Sequence, residues 1–500
     1  MKTIYNFMMT ILFVAFSMAS MGQGVTSSGI NGHVADTKGQ GLPGATVIAV
    51  HQPTGTRNGT VTDTKGFYTL PNMGVGGPYL ITVSYIGFKN YEQAGIYLSL
   101  GQTLKIDVEL SESVENLKGV EIVATRNELF DGNRTGSSTN INKDAIEKMP
   151  SIARNLSDFT RLTPQARVAN DGSIEIAGMN NRYNAIFIDG AVNNDVYGLA
   201  ATGTNGGQTG ISPFSVDIID QLTVNVAPYD VRQGGFAGAG INAVTRRGTN
   251  EVEGSVYYFL RNQSIAGKTP TLGTYIPDTL RKRLSNFSSQ TYGARVGGAA
   301  IKDKLFYFLN FEFQKDATPR PFDFGTYVGK ATRTDLNTLT NFLINKYGYD
   351  PGTYEGANNT LDGQKVFARI DWNISPKHVF TARYQYTKGT SVTPGVPTTT
   401  GLTFSNAGID FPSITNTAAV ELKSNFSSKT SNDLIVGLTF VRDKRSPMGS
   451  NFPYVTDSSF WMEGDHMGMH DAGKDLTDEL EMAPHRDENF KHVKFVGDLV

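Results

Sequence analysis

The densest set of potential metal-ligand side chains is Asp465-His466-Met467-Gly468-Met469-His470-Asp471. Two histidines four apart would share one face of a helix, as in zinc sites. The glutamate that follows the first histidine in a metalloprotease motif is replaced by Met467. A solvated loop is the better reading, and metal binding by His466 and His470 stays open. His33 and His51 fall in strand-like runs without a carboxylate pair nearby. They read as satisfied or exposed histidines, because a metal site needs three or four converging ligands. Gly235, Gly238 and Gly240 superficially resemble a dinucleotide loop, but such a loop opens a helix, and Ile241 to Thr245 is strand-like. Tyr327, Tyr347, Tyr349 and Tyr354 stand in a loop, where they could touch a ligand, form an interfacial girdle or pack the loop. The chain has no cysteine, which excludes thiol catalysis, disulfides and Cys-ligated zinc. With no nucleophile, base and orienting group in view, neither an enzyme nor a cofactor is expected.

The elements that carry these residues are strands. Glycine is abundant at 54 of 500 residues and aromatics make up 10%, an all-β composition. A chain of this length suggests two or three domains. The 45 basic and 47 acidic residues nearly cancel, so no clustered basic charge argues for nucleic acid. Mean hydropathy is −0.26, a value that hides a membrane face placed at every second residue. Residues 1–22 read as a signal peptide. Lys2 is the positive start, Ile4 to Ala19 the apolar stretch, and Ser20-Met21-Gly22 the small residues before Gln23. The mature chain is therefore expected to be exported.

Residues 27–112 alternate in short runs, among them Ile30 to Ala35, Ala45 to His51, Gly59 to Thr62, Gly66 to Leu70, Tyr79 to Tyr85 and Leu104 to Leu110. Gly, Pro and Asp turns separate them, which predicts a small β-sandwich. Residues 113–126 form a linker containing one extended, β-branched run. A free strand of this kind can complete the sheet edge of a partner. Residues 127–250 mix two short helices, Ala145 to Met149 and Ala153 to Leu162, with strands Ser173 to Ala177, Ala185 to Ile188 and Ile219 to Val226. Asp189-Gly190 marks a hairpin turn.

From residue 251 to 500 a rhythm sets in. Leu305, Tyr307, Leu309, Phe311 and Phe313 share one face of a strand, against Asn310, Glu312 and Gln314 on the other. Ile370 and Trp372 oppose Arg369 and Asp371, Ala382 and Tyr384 oppose Arg383 and Gln385, and Val420 and Leu422 oppose Glu421 and Lys423. Short turns at Lys302-Asp303, Ser375-Pro376 and Ser427 to Thr430 alternate with long loops near 263–289, 316–363, 389–414 and 443–488. Loops of that length are uncommon in compact soluble domains. Short-long alternation belongs to outer-membrane barrels, with the long loops outside. About eight strands of about ten to twelve residues are expected, too few to enclose another domain, since plugged lumens go with about 22 strands. The fold class expected is mainly β: a small β-sandwich domain, an α+β plug domain and part of a 22-stranded transmembrane β-barrel, the chain being an N-terminal fragment.

Three sets of residues carry a family resemblance. Gly32-His33-Val34-Ala35-Asp36, Gly41-Leu42-Pro43-Gly44-Ala45 and Thr62-Asp63-Thr64-Lys65-Gly66-Phe67-Tyr68 resemble the carboxypeptidase-regulatory-like domain. Val120-Glu121-Ile122-Val123-Ala124-Thr125 resembles a TonB box, the docking strand of energy-coupled transporters. Two plug motifs follow. In the first, Gly178 and Arg182 precede a strand that ends in Asp189-Gly190. The second contains Gly235, Gly238, Gly240, Asn242 and Thr245 and runs to Arg246-Arg247-Gly248. Together these are similar to TonB-dependent outer-membrane receptors of the Oar-like layout. The starch-utilisation type shares the layout but usually ends its second motif in a basic-Lys-Gly run. The resemblance implies uptake of an unidentified large nutrient across the outer membrane, energised through the docking strand. It implies as partners a TonB-type coupling protein, outer-membrane lipid, a transported ligand and, as an open candidate, a surface lipoprotein. The plug glycines are expected to let plug backbone approach the barrel wall. A structural or adhesive surface barrel without transport is the alternative.

Overall fold

The computed structural model describes residues 24–112, 121–123, 137–149, 151, 154–169, 172–195, 198–228, 233–268, 285–320, 322–427 and 430–449. Val120, Ala124, Thr125 and the Asp465–Asp471 cluster lie outside them.

The first domain is built from β1 (Ser28–Asp36), β2 (Thr46–His51), β3 (Thr56–Val61), β4 (Phe67–Met73), β5 (Gly76–Ser84), β6 (Tyr91–Leu98), β7 (Thr103–Lys105) and β8 (Val108–Leu110). One sheet has the order β4-β1-β7, with β8 also on β1. The other runs β3-β2-β5-β6 and ends in β9 (Glu121–Val123). Alternation in β2 and β5 points Val47, Ala49, Ile81 and Val83 inward, against Ile30 and Val34 of β1. The sequence reading missed β6. Its polar residues and Gly95, which sits at φ +73°, hide the strand, as glycine inside a strand usually does. The expected single strand Leu104 to Leu110 breaks into β7 and β8, both parallel to β1.

The plug consists of β10 (Ser138–Ile141), α1 (Lys143–Lys148), α2 (Leu156–Thr160), β11 (Ala166–Val168), β12 (Ile174–Ile176), β13 (Ala185–Ile188), β14 (Ala191–Val192), β15 (Ile219–Asn225) and β16 (Gly240–Thr245). Asn142 and Asn155 cap the two short helices by accepting from the Ala145 and Asp158 N–H groups. The main sheet runs β10-β15-β16-β13-β14, with β13 parallel to β16. Every residue of both strands is buried, which is why Ala185-Ile186-Phe187-Ile188 is a continuous apolar run rather than an alternating one.

The third sheet has β17 (Glu253–Asn262), β18 (Ser288–Ile301), β19 (Leu305–Pro319), β20 (Asn358–Ser375), β21 (His378–Thr393), β22 (Ile409–Ser427) and β23 (Thr430–Asp443) in sequence order, all antiparallel. The two-residue β24 (Ser446–Pro447) adds to β22. Strands β18 to β23 run 14 to 19 residues, longer than the expected ten to twelve. A span of hydrocarbon needs only about 9–11 tilted residues, so the ladder continues past the membrane into what the sequence suggested were loops. Ile370, Trp372, Tyr384 and Val420 face outward and are exposed. Arg369, Asp371, Arg383 and Glu421 face inward and are buried. The inward face is not purely polar: Phe306, Phe308 and Phe367 also point in, and the last two join the plug core.

The loop 320–357 contains α3 (Arg333–Tyr347), which starts on a Thr332–Asp335 capping box and stops at Gly348, φ +65°. Its tyrosines pack the loop. Tyr327 and Tyr354 stack around Phe324, Tyr354 meets Phe404 of the next loop, and Tyr347 meets Phe342. Tyr349 N–H closes the helix end on the Leu343 carbonyl. Backbone bonds from Val328 to Thr399 and from Ser405 to Thr353 join the two loops.

Candidate functional site: the plug seat

The β13–β14 turn places Asp189 at φ +41° and Gly190 at φ +75°, which tucks the Asp189 carboxylate under the sheet. Its oxygens accept from the Thr245 N–H and the Thr245 hydroxyl, each at 2.8 Å. From the wall, Arg369 Nη1 donates to Asp189 Oδ1 at 3.3 Å and Arg383 Nε lies 3.2 Å from Oδ2. Arg369 also holds Asp371 in a two-pronged pair, at 2.9 and 2.7 Å, and the Thr381 hydroxyl donates to Asp371. Arg383 further donates to the Ile188 carbonyl. All four charged side chains are buried. Two cations face two anions, so the cluster is balanced, and removing any one leaves a buried charge unpaired.

Further nodes ring the plug. Glu312 of the wall accepts from Ser215 Oγ and Tyr257 Oη, each at 2.6 Å, and from Lys365 Nζ at 2.8 Å. Gln385 and Thr387 both donate to the Pro213 carbonyl at 2.6 Å. On the plug, Arg246 Nη1 meets Glu147 at 2.8 Å, with Arg295 of the wall 3.4 Å from the same oxygen. Burial works against the Glu147 carboxylate, but the Arg246 hydrogen bond and charge outweigh it and hold its carboxyl below the usual range.

One contact is steric. Gly363 and Gly389 sit directly opposite each other on β20 and β21. The plug's fully buried Ile211 fills the hole between them. A Cβ at Gly363 would lie 2.6 Å from Ile211 Cδ1, and one at Gly389 2.7 Å from Thr209 Oγ1 and 2.9 Å from Ile211 Cγ2.

The plug-motif residues fall at different places. Asp189 and Thr245 come together, and Asn242 Oδ1 accepts from the Val25 N–H. Gly178 occupies a turn at φ +76°. Arg182 is exposed beside a polar cleft with Asn181, Asn184 and Asp195. The expectation that Gly235, Gly238 and Gly240 approach the wall is corrected. Gly238 packs on Asn184 and Gly240 on Phe236, both within the plug, while Gly235 faces open space at φ +82°. The close approaches to the wall are made by Gly190, against Ile435, and by Gly248, against the Gly298 and Tyr307 carbonyls. Strand β16, not a helix, follows the cluster. His33 bonds to the Lys65 carbonyl. His51 sits between Thr54 Oγ1 at 2.7 Å and Arg247 Nη2 at 3.1 Å. Arginine only donates, so His51 Nε2 accepts and Nδ1 carries the proton. Among the described residues, no group of three His, Cys, Asp or Glu side chains is placed to hold a metal. The sequence reading put Arg369, Asp371 and Arg383 on the charged face of the wall but did not join them to Asp189.

A globular domain bolted by buried ion pairs to the inner face of a strand wall, whose outer face is apolar, defines a plugged outer-membrane β-barrel. Comparison with known proteins assigns the domains. Residues 29–111 match the carboxypeptidase regulatory-like domain, residues 132–241 the TonB-dependent receptor plug domain, and residues 244–355 an outer membrane beta barrel domain. The chain thus carries these three domains in the order that TonB-dependent outer-membrane receptors with an N-terminal regulatory-like domain show, and is similar to them. It is 29% identical over 298 residues to the TonB-dependent transporter Oar of Myxococcus xanthus, covering 57% of this chain and 26% of that protein. It is 28% identical over 189 residues to the probable TonB-dependent siderophore receptor PirA of Acinetobacter baumannii, covering 35% and 22%. The chain thus spans about a quarter of the length of the curated relatives it matches. Among solved structures, it is similar to the siderophore receptor PirA from Acinetobacter baumannii. That match has a TM-score of 0.43 and 18% identity, covering 66% of this chain and 43% of the other. The outer membrane transporter YddB from Escherichia coli matches with a TM-score of 0.43 and 17% identity, covering 61% and 39%.

Proposed function

We propose that the protein is an energised outer-membrane transporter that takes up an unidentified nutrient. One observation carries the reading: hydrogen bonds and ion pairs around Asp189, Arg369, Asp371 and Arg383 fix the plug in the wall, beside an apolar contact at Phe308 and Phe367. The polar contacts define one seated position, yet each can be exchanged for water when the plug is pulled. The strand around Val120, Glu121, Ile122, Val123, Ala124 and Thr125 is the handle, and a TonB-type protein of the inner membrane supplies the pull from the periplasmic side. The long loops and the cleft beside Arg182 face the outside and meet the ligand. Siderophore, oligosaccharide and peptide are the ligand classes to try, and a surface lipoprotein is the partner to look for.

The test uses cells supplied with radiolabelled ferric siderophores, oligosaccharides and peptides in turn. Accumulation should require both this protein and the coupling protein. Val123→Pro should abolish it while leaving barrel insertion intact, since proline removes a strand-pairing donor. Accumulation that survives loss of the coupling protein would sink the reading in favour of a passive or adhesive surface barrel.

A further inference from the structure

The first domain is seated on the rest of the chain through contacts from several of its elements. Residues 24–27 run between plug and wall. The Gly24 N–H donates to the Gly190 carbonyl at 3.1 Å, and the Val25 N–H to Asn242 Oδ1 at 3.2 Å. Thr26 Oγ1 donates to Glu421 at 2.5 Å, and Lys423 Nζ donates to the Thr26 carbonyl at 3.4 Å. The β2–β3 turn meets the rim formed by the short turns of the wall. There the Asn250 N–H donates to the Pro53 carbonyl at 2.8 Å, and Asn373 Nδ2 to Thr56 Oγ1 at 3.0 Å. Gly55, at φ +62°, lies so close that a Cβ would stand 2.0 Å from Asp303 Oδ1. Toward the plug, the Leu100 N–H donates to Gln221 Oε1 at 2.7 Å, and Arg247 is shared between His51 and the Val75 carbonyl.

The composition of this seat matters. Its apolar part is one small cluster, Val25, Val75, Leu100 and Val244. The rest is polar and surrounds a chamber of about 70 Å³ lined by Asp220, Arg247, Asp371, Glu421 and Lys423. The first domain and the plug each keep a separate apolar core. Contacts to a polar, wettable chamber can be replaced by water, so the joint can part without unfolding either side. Strand β9 meanwhile lies on the edge of this same domain. It runs parallel to β6, with Glu92 opposite Glu121, Gln93 opposite Ile122 and Ala94 opposite Val123. Among the described residues, the other edge of β9 pairs with no strand.

We infer that the first domain is a lid across the short-turn mouth of the barrel, and that a partner strand added to the free edge of β9 lifts this lid before the plug moves. The lifting rests on the energised-transport reading; the seating does not. Tension on β9 passes into β6, and from there to the hydrogen bonds at Thr26, Thr56, Leu100 and Arg247, before it reaches the Asp189 cluster.

These 500 residues hold no cysteine, so a single thiol placed among them has no native thiol beside it within this span. Thr56→Cys reports from under the lid, Asn373→Cys from the rim opposite, and Ile86→Cys from a lid position that is 95% exposed. Each is labelled in intact cells with a maleimide that enters the periplasm. In cells lacking the coupling protein, the first two should react severalfold more slowly than the third, because the docked joint leaves them only half-exposed. With the coupling protein present and energised, both should accelerate severalfold while Ile86→Cys stays unchanged. Equal rates at the three sites in coupling-deficient cells overturn the lid. Binding of the purified periplasmic domain of the coupling protein to the receptor is measured in parallel. Protection that persists although that domain binds overturns the lifting alone. Absence of binding overturns the transport reading, and the lifting with it.

Discussion

Asp189 turns the chain and balances two arginines at once. Its backbone sits in the left-handed region that lets β13 fold back on β14, and its carboxylate accepts from both plug and wall. Asp189→Asn would keep the turn and the bond from the Thr245 N–H but remove the charge facing Arg369 and Arg383. Arg369 retains Asp371, whereas Arg383 keeps only the more distant charge of Glu421. Leaving a buried guanidinium uncompensated costs about 3 to 5 kcal/mol. Thermal unfolding of the purified receptor should fall accordingly, and the loss should shrink when Arg383→Met is added. At this scale the sequence was half readable. Asp-Gly between a buried strand and a following run announces a turn whatever surrounds it. That Arg369 and Arg383 would meet the turn depends on which part of a strand ladder lies level with the plug floor, and no local pattern encodes that height.

At the scale of elements, the readable part was the part with a period. Strands β19 to β22 announce themselves because one face meets lipid and the other meets the plug. Strand β6 has neither a clean period nor an uninterrupted run, and it was missed. The ends of the barrel strands were missed for a related reason: beyond the membrane both faces meet water, so the alternation fades while the ladder continues. The glycine cluster misled by chemistry rather than by period. Glycines were expected to meet the wall at Gly235, Gly238 and Gly240, whereas the wall itself supplies Gly363 and Gly389 to receive Ile211. That hole yields a prediction. Gly389→Ala drives a Cβ toward the branched part of Ile211, which is stiff at χ1 and cannot swing aside. Overpacking of this kind costs about 1 to 3 kcal/mol. Hydrogen exchange in residues 206–215 should quicken, and Ile211→Ala in the same chain should recover part of the loss. Additive effects of the two substitutions would show that the glycine pair is not a socket.

Across the whole molecule, the joints between domains were invisible in the sequence, because they are made by single polar residues from separate turns. His51 is one of them. Burial first, and Arg247 second, lower its pKa from 6.5 to about 2, so it stays neutral when the domains are joined. Tyr79 and Thr54 are its other close neighbours, and Asp220 lines the chamber beside Arg247. Unfolded, His51 would take a proton near pH 6.5. Between these values the folded chain binds fewer protons than the unfolded one, so the contribution of His51 is whole above pH 6.5 and declines as pH falls below it. Between pH 7.5 and pH 5, the melting temperature of the protein should drop more than that of His51→Gln. Equal drops would remove His51 from the joint.

The bond from Thr26 to Glu421 joins residues 395 positions apart. This places an order on assembly. The first domain has its own core and leaves the export machinery ahead of the plug and the wall, yet its seat includes a side chain on β22 and turns between still other wall strands. It must wait, folded and unattached, while the wall is laid down behind it. Contacts of such long range close late and slowly. A newly exported chain therefore passes through a stage in which the wall is forming and its inner mouth stands open, and the first domain seats only after β22 is in place.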